Sequence, residues 1–193
     1  MKLSIVNYGA GNIKSIQFAF QRLGYQALLS DDPEVILGSD KVIFPGVGEA
    51  SSAMKKLKDS GLDDLIPQLK QPVLGICLGM QLMCTHTDEG DTKGLDIFHT
   101  EVKRFSNQLK VPQMGWNVIK ELKSPLFKNI EENSYMYLVH SYYAEVCPES
   151  IATTNYGLNY ASALENDNFF GVQFHPEKSS TVGERVLQNF LNL

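Results

Sequence analysis

The chain has 193 residues, enough for one domain with a sizeable core. Apolar residues make up 43% and charged residues 20%, ordinary for a globular protein, and the net charge of −5 comes without the basic run that a nucleic-acid surface needs. No window approaches the ~20 apolar residues of a membrane span, and the opening MKLSIVNYGAGN has too short an apolar stretch for a secretory leader, so a cytoplasmic protein is expected.

In chain order, the first half alternates short apolar runs with helical patterns. KLSIVNY, YQALLS, KVIFPG and PVLGIC read as strands, the last two flanked by Pro and Gly. Between them, NIKSIQFAFQRL carries a helical stripe at Ile13, Ile16, Phe20 and Leu23, and EASSAMKKLKDSGLDDLIPQL reads as helix with a break near Gly61. Strands alternating with helices imply βαβ units and a parallel sheet. The second half changes character. IFHTEVKRF, QMGWNVI, SYMYLVHSYYAEV, SIATTNY, YASALEN and FFGVQF are closely spaced and rich in aromatic and β-branched residues, and are expected to add antiparallel strands to that sheet. A last helix, TVGERVLQNFLNL, puts Val182, Val186, Leu187, Phe190 and Leu191 on one face.

Four stretches could carry chemistry. The first, NYGAGNIK, sits between a strand and a helix and imitates a dinucleotide fingerprint, with Asp31 near the end of the next strand. The third glycine of that motif, which close helix–strand packing requires, is Lys14 here, so a tight strand–helix turn is the default reading.

The second, GICLG at 75–79, has the spacing of a nucleophile elbow with sulfur in place of oxygen. Such a turn is strained, and the flanking glycines let its two arms pack without a side-chain clash. The helix that follows favours a thiolate at Cys77, and the N–H of Leu78 is placed to donate to an oxyanion. The alternative for Cys77 is a buried structural thiol beside a helix start.

A nucleophile needs a base and an orienting group. The third stretch, GVQFHPEKSS, supplies both: His175 ends an apolar strand and Glu177 follows across the turn fixed by Pro176. Only folding can bring them to Cys77, as is usual for catalytic triads. The fourth, FPGVGEA, offers Gly46 and Gly48 in a loop that can present backbone N–H donors to a developing negative charge, or simply a glycine turn into a helix capped near Glu49. Three cysteines and no C-x-x-C argue against a disulfide framework. Cys77 and Cys84, if on one helix, lie two turns apart, roughly 10 Å, too far to bridge. Cys84 and Cys147 read as structural. No histidine–cysteine cluster has zinc-ligand spacing, so neither metal nor cofactor is expected.

GICLGMQLM, FPGVG and QFHPEKSS, in this order, resemble the class I (triad) glutamine amidotransferases. More narrowly, YGAGNIKS, PQMGWN and HPEKSS resemble the glutaminase subunits of imidazole glycerol phosphate synthase, over essentially the whole chain. The resemblance implies a flavodoxin-like α/β fold in one domain over 1–193: a mixed, mainly parallel sheet flanked by helices, with antiparallel strands added in the C-terminal half. It implies Cys77 as nucleophile, His175 as general base and acid, and Glu177 as its orienting partner. Gly46, Val47 and Leu78 would shape the oxyanion site, and Gln81 and Glu89 match positions that hold the glutamine amino-acid end. The backbone of His140, Ser141 and Tyr142 would line the same pocket.

By the same resemblance, L-glutamine is hydrolysed through a thioester, and the ammonia passes to a cyclase subunit built as a (βα)8 barrel. There imidazole glycerol phosphate and the aminoimidazole carboxamide nucleotide form in histidine biosynthesis. Asn12, Trp116, Tyr137 and Lys178 are expected at that interface, with core packing as the alternative for Trp116. Rotation of the Gly46–Val47 peptide would keep glutaminase activity low until the partner is loaded. Three rivals share the residues: a paralogous subunit feeding another synthase, for example in amino-sugar formation; a silent binding domain of this fold; and a simple hydrolase or peptidase.

Overall fold

The computed structural model describes all 193 residues. Four strands of the first half, β1 (Leu3–Val6), β2 (Ala27–Ser30), β3 (Lys41–Gly46) and β4 (Val73–Cys77), run parallel in the order β2-β1-β3-β4. The helices between them are α1 (Ile13–Arg22), α2 (Pro33–Leu37), α3 (Ala50–Ser60) and the single turn α4 (Leu62–Leu65). Gly61, with φ of 69°, separates the last two, as a residue free of the Cβ penalty in that left-handed conformation can. α2 escaped the sequence reading although its signals are present: Asp32 caps it, accepting from the Glu34 N–H at 2.9 Å, and Pro33 starts it.

After the short helix α5 (Leu78–Met83) come β5 (Cys84–Thr87), β6 (Thr92–Lys93), β7 (Phe98–Arg104), β8 (Gln113–Val118), β9 (Tyr135–His140), β10 (Tyr142–Ala144), β11 (Ser150–Asn155), β12 (Asn159–Asn166), β13 (Phe169–Val172) and α6 (Ser180–Leu191). β13 returns to pair in parallel with β4, and the sheet continues β13-β12-β10-β7-β5-β6, with β11 also on β12, to eleven strands. The added pairs are antiparallel except β5–β7.

β8 and β9 depart from the expectation that every late strand joins this sheet, for they form a separate antiparallel ribbon. Burial explains the departure. Met136 and Leu138 alternate onto one face and enter the core beside Val186, Leu187 and Phe190 of α6, which takes the ribbon out of the sheet plane. A second difference concerns the cysteines: α5 ends before Cys84, so Cys77 and Cys84 flank one short helix instead of sharing it.

The central strands alternate between two cores. Leu3, Ile5, Ile43, Leu74 and Ile76 face α1 and α6, whereas Val6, Val42, Phe44 and Val73 face α3 and α5. Both faces of the parallel strands are therefore apolar, as covered parallel sheets require. No helix is long and apolar enough to cross a membrane.

Candidate active site

Cys77 lies where β4 stops and α5 begins, and its backbone is strained, with φ of 54° and ψ of −110°. The neighbours of the turn demand glycine. A Cβ at Gly79 would stand 2.0 Å from the Phe44 carbonyl oxygen, one at Gly75 2.6 Å from Met83 Sδ, and one at Gly46 2.6 Å from the Gly79 nitrogen. The ends of β3 and β4 and the start of α5 are thus pressed together around the thiol, and the register pairs Gly46 with Cys77.

Cys77 Sγ is nearly buried, 3.7 Å from Gln173 Nε2 and 3.9 Å from the Val139 carbonyl oxygen, toward which the thiol is directed. His175, just beyond β13, lines the same pocket. Its Nδ1 lies 2.9 Å from Glu177 Oε1, so that nitrogen donates to the carboxylate and Nε2 is left for the sulfur. The carboxylate is sealed in: its Oε2 has no partner, and His175 is its one hydrogen-bonding neighbour. Burial lowers the imidazole pKa, but Cys77 and Glu177, through hydrogen bonding and charge, outweigh it and raise the value to about 10. In this structure the Cys77 thiol is directed at the Val139 carbonyl and not at His175.

The pocket beside the sulfur has a volume of about 360 Å³, room for one amino-acid-sized molecule. Val47, Leu78, Gln81, Glu89, His140, Ser141, Tyr142 and Lys178 line it, so the residues anticipated for the oxyanion and for the amino-acid end share one cavity except Gly46, which ends β3 paired with Cys77 and does not reach the cavity wall. Val47 and Gly48 have no intramolecular acceptor for their N–H groups. Gln81 is buried and spends its Nε2 on the Tyr142 carbonyl at 3.0 Å and on Gln173 Oε1 at 2.8 Å, leaving its own Oε1 to accept from a ligand. Glu89 Oε2 accepts the Ala50 N–H at the start of α3 at 2.9 Å; burial raises its pKa, the Ala50 hydrogen bond opposes this, and the Glu49 charge adds to it. His140 is a strand-end histidine with Nδ1 2.6 Å from the Tyr142 carbonyl oxygen, and burial lowers its pKa to about 4 despite that bond, so it is neutral near pH 7. The carbonyls of Ser141 and Tyr142 are both engaged inside the protein.

Four participants escaped the sequence reading. Gln173 is fully buried and touches the sulfur; the signal was a polar residue inside the apolar run FFGVQF, two positions before His175. Pro112 and Val139 complete the wall. Tyr8, inside the loop dismissed as a cofactor motif, is buried and donates to the Pro45 carbonyl at 2.7 Å, bracing the strand that ends at Gly46.

Of the anticipated interface residues, Trp116 and Tyr137 are a cross-strand pair of the β8–β9 ribbon, their rings 5.9 Å apart and edge-on. Trp116 is 51% exposed, so core packing is not its role. It shares the outer face of the ribbon with Met114 and Tyr135, both exposed. Lys178 lies on the pocket wall, in the turn against which α1 packs, and Asn12 immediately precedes α1.

The family described as class-I glutamine amidotransferase matches residues 4–193. Imidazole glycerol phosphate synthase subunit HisH of Bacteroides thetaiotaomicron is 53% identical over the whole of both chains. That of Pectobacterium atrosepticum is 48% identical, again end to end. Among solved structures, a putative GMP synthase subunit of Thermoplasma acidophilum superposes with a TM-score of 0.77 at 18% identity, covering 100% of this chain and 92% of that one. PurLQS of Thermotoga maritima gives 0.73 at 17%, covering 100% and 99%. These two distant likenesses speak for the fold alone.

Proposed function

The chain belongs to the class-I glutamine amidotransferases and, among them, to the HisH subunits of imidazole glycerol phosphate synthase; from that premise we propose that Cys77, His175 and Glu177 carry its glutaminase chemistry. The observation that bears most weight is the strained Cys77 turn facing a pocket shared with a Glu177-held His175.

The steps follow from the geometry. The Cys77 thiolate attacks the side-chain amide of L-glutamine, and its negative charge passes to the amide oxygen. The donors for that oxyanion are the N–H of Leu78 and those of Val47 and Gly48, a reading supported by their place on the pocket wall and by the lack of an intramolecular acceptor for the latter two. His175, raised to about 10, holds a proton at neutral pH and gives it to the departing ammonia. Now neutral, it takes a proton from water, whose attack on the γ-glutamyl thioester releases glutamate and restores the thiolate. Glu177 fixes the ring's tautomer throughout.

Gln81 Oε1 and the Glu89 carboxylate supply acceptors for the substrate α-ammonium, within a pocket of the right size. Released ammonia becomes ammonium in water and loses its nucleophilicity, which favours direct delivery to an acceptor. The exposed Met114–Trp116–Tyr135 face is an apolar, aromatic surface suited to a protein partner. That partner is the cyclase subunit with a (βα)8 barrel, so that the heterodimer forms imidazole glycerol phosphate. We place the enzyme in the cytoplasm, where its three free cysteines stay reduced.

The test is glutamate release from L-glutamine by the chain alone, then with the cyclase and its nucleotide substrate. Strong activation in the loaded complex is expected. Hydrolysis indifferent to the cyclase would move the search to another synthase, and silence throughout would return Cys77 to a structural role.

A further inference from the structure

An unbroken series of buried contacts links the far wall of the pocket to the reacting sulfur. It begins at the Tyr142 carbonyl, which accepts from Gln81 Nε2 at 3.0 Å. A carbonyl oxygen has no proton to give, so Gln81 must turn its NH2 group toward it, and the orientation of that amide is fixed by the backbone. The second N–H of Gln81 then meets Gln173 at 2.8 Å, and the atom that receives it must be Oε1. With its oxygen committed, Gln173 can present only its NH2 group to Cys77 Sγ, 3.7 Å away. Gln81 is 4% exposed and Gln173 0%, so water does not compete for these contacts.

We propose that Gln173 is a further catalytic residue, whose amide N–H stabilises the Cys77 thiolate, and that Gln81 is the positioning residue that aims it. This rests on the reading of Cys77 as the nucleophile. A hydrogen bond donated to the charged form of a group favours ionisation, and here the donor is aimed at the atom where charge resides. It differs from His175 in a useful way. The imidazolium loses its charge when it protonates ammonia, whereas the amide is present in every protonation state and transfers no proton. Gln173 therefore supports the sulfur both as attacking thiolate and as leaving group from the thioester, while all proton movement stays with His175 and water. Gln81 acquires a double duty: its NH2 group holds the relay, and its Oε1 faces the ligand.

The experiment is the pH dependence of Cys77 alkylation by iodoacetamide in the full chain without substrate, read on the Cys77 peptide by mass spectrometry so that Cys84 and Cys147 do not interfere. Gln173→Met removes the donor at similar volume, and the midpoint should rise by about one pH unit, about tenfold less thiolate at a fixed pH below it. Gln81→Met should move it in the same direction by less. Loss of packing alone would lower the melting temperature without displacing the midpoint. A folded Gln173→Met chain with an unmoved midpoint would overturn the inference. Should that variant not fold, the wild-type side-chain amide resonance of Gln173 serves instead: it must titrate together with Cys77 and be flat in Cys77→Ala, and a flat wild-type resonance is likewise contradictory. Failure of the underlying reading has a separate signature, which is glutamine hydrolysis retained by Cys77→Ala.

Discussion

The two walls of the pocket are held in place by different physics. The wall that carries Cys77 is set by backbone packing: β3, β4 and α5 approach so closely that three of their positions admit no Cβ. The facing wall, from His140 to Tyr142, is set by side-chain hydrogen bonds, with Tyr142's carbonyl at their centre and the ring of Tyr160, its hydroxyl bonded to Gln113 at 2.9 Å, behind it. The first wall tolerates no added atom. The second depends on its donors and acceptors staying matched. The histidines carry the same contrast: His175, on the nucleophile's side, is raised to about 10, while His140, opposite, is lowered to about 4.

The sharpest way to break this comparison is Gly79→Ala. A single methyl group would sit 2.0 Å from the Phe44 oxygen, and overpacking of this severity costs about 3 kcal/mol. A fall in melting temperature of about 6–12 °C is expected by calorimetry, with activity lost beyond it as β3 shifts from Cys77. A variant with wild-type stability would show that the elbow is not packing-limited.

The opposite wall predicts a pH effect. His140 is neutral in the folded chain down to about pH 4, whereas in the unfolded chain it takes a proton near 6.5. The unfolded state thus binds the extra proton between those values, so the His140 contribution to stability is full above pH 6.5 and is lost as pH drops toward 4. The difference amounts to on the order of 3 kcal/mol at the acid end. His140→Gln should flatten this slope in urea titrations, and an unchanged slope would remove His140 from the account.

A third substitution reaches outside both walls. Trp116→Ala should cost the isolated chain only about 1 kcal/mol, since the side chain is half exposed and loses chiefly its edge-on contact with Tyr137. Affinity for the cyclase should fall by about 30-fold or more, as for an aromatic hot spot. Equal affinity would take the ribbon out of the interface.

The same contrast governs what could be read from the residues. The elbow was legible because backbone packing leaves its mark as glycine at fixed spacing, and the H-P-E turn only because that elbow called for a base and an orienting group. The parallel strands were legible from runs apolar on both faces. The ribbon was not, because Met136 and Leu138 look the same whether their apolar face meets a sheet or α6. Gln173 was passed over because a lone glutamine in a strand gives no sign of its partners until folding brings Gln81 and Cys77 to it. Tyr8 was hidden by a glycine pattern that resembled another kind of loop.

Cys77 forms a covalent bond to the substrate in the mechanism proposed above. Its most direct test is acid quenching of the cyclase-loaded complex during turnover, followed by mass spectrometry of the peptide that carries Cys77. One γ-glutamyl group is expected on Cys77, removed by hydroxylamine and absent in His175→Ala. Steady turnover with the Cys77 peptide unmodified at every quench time, and hydrolysis surviving in Cys77→Ala, would contradict it.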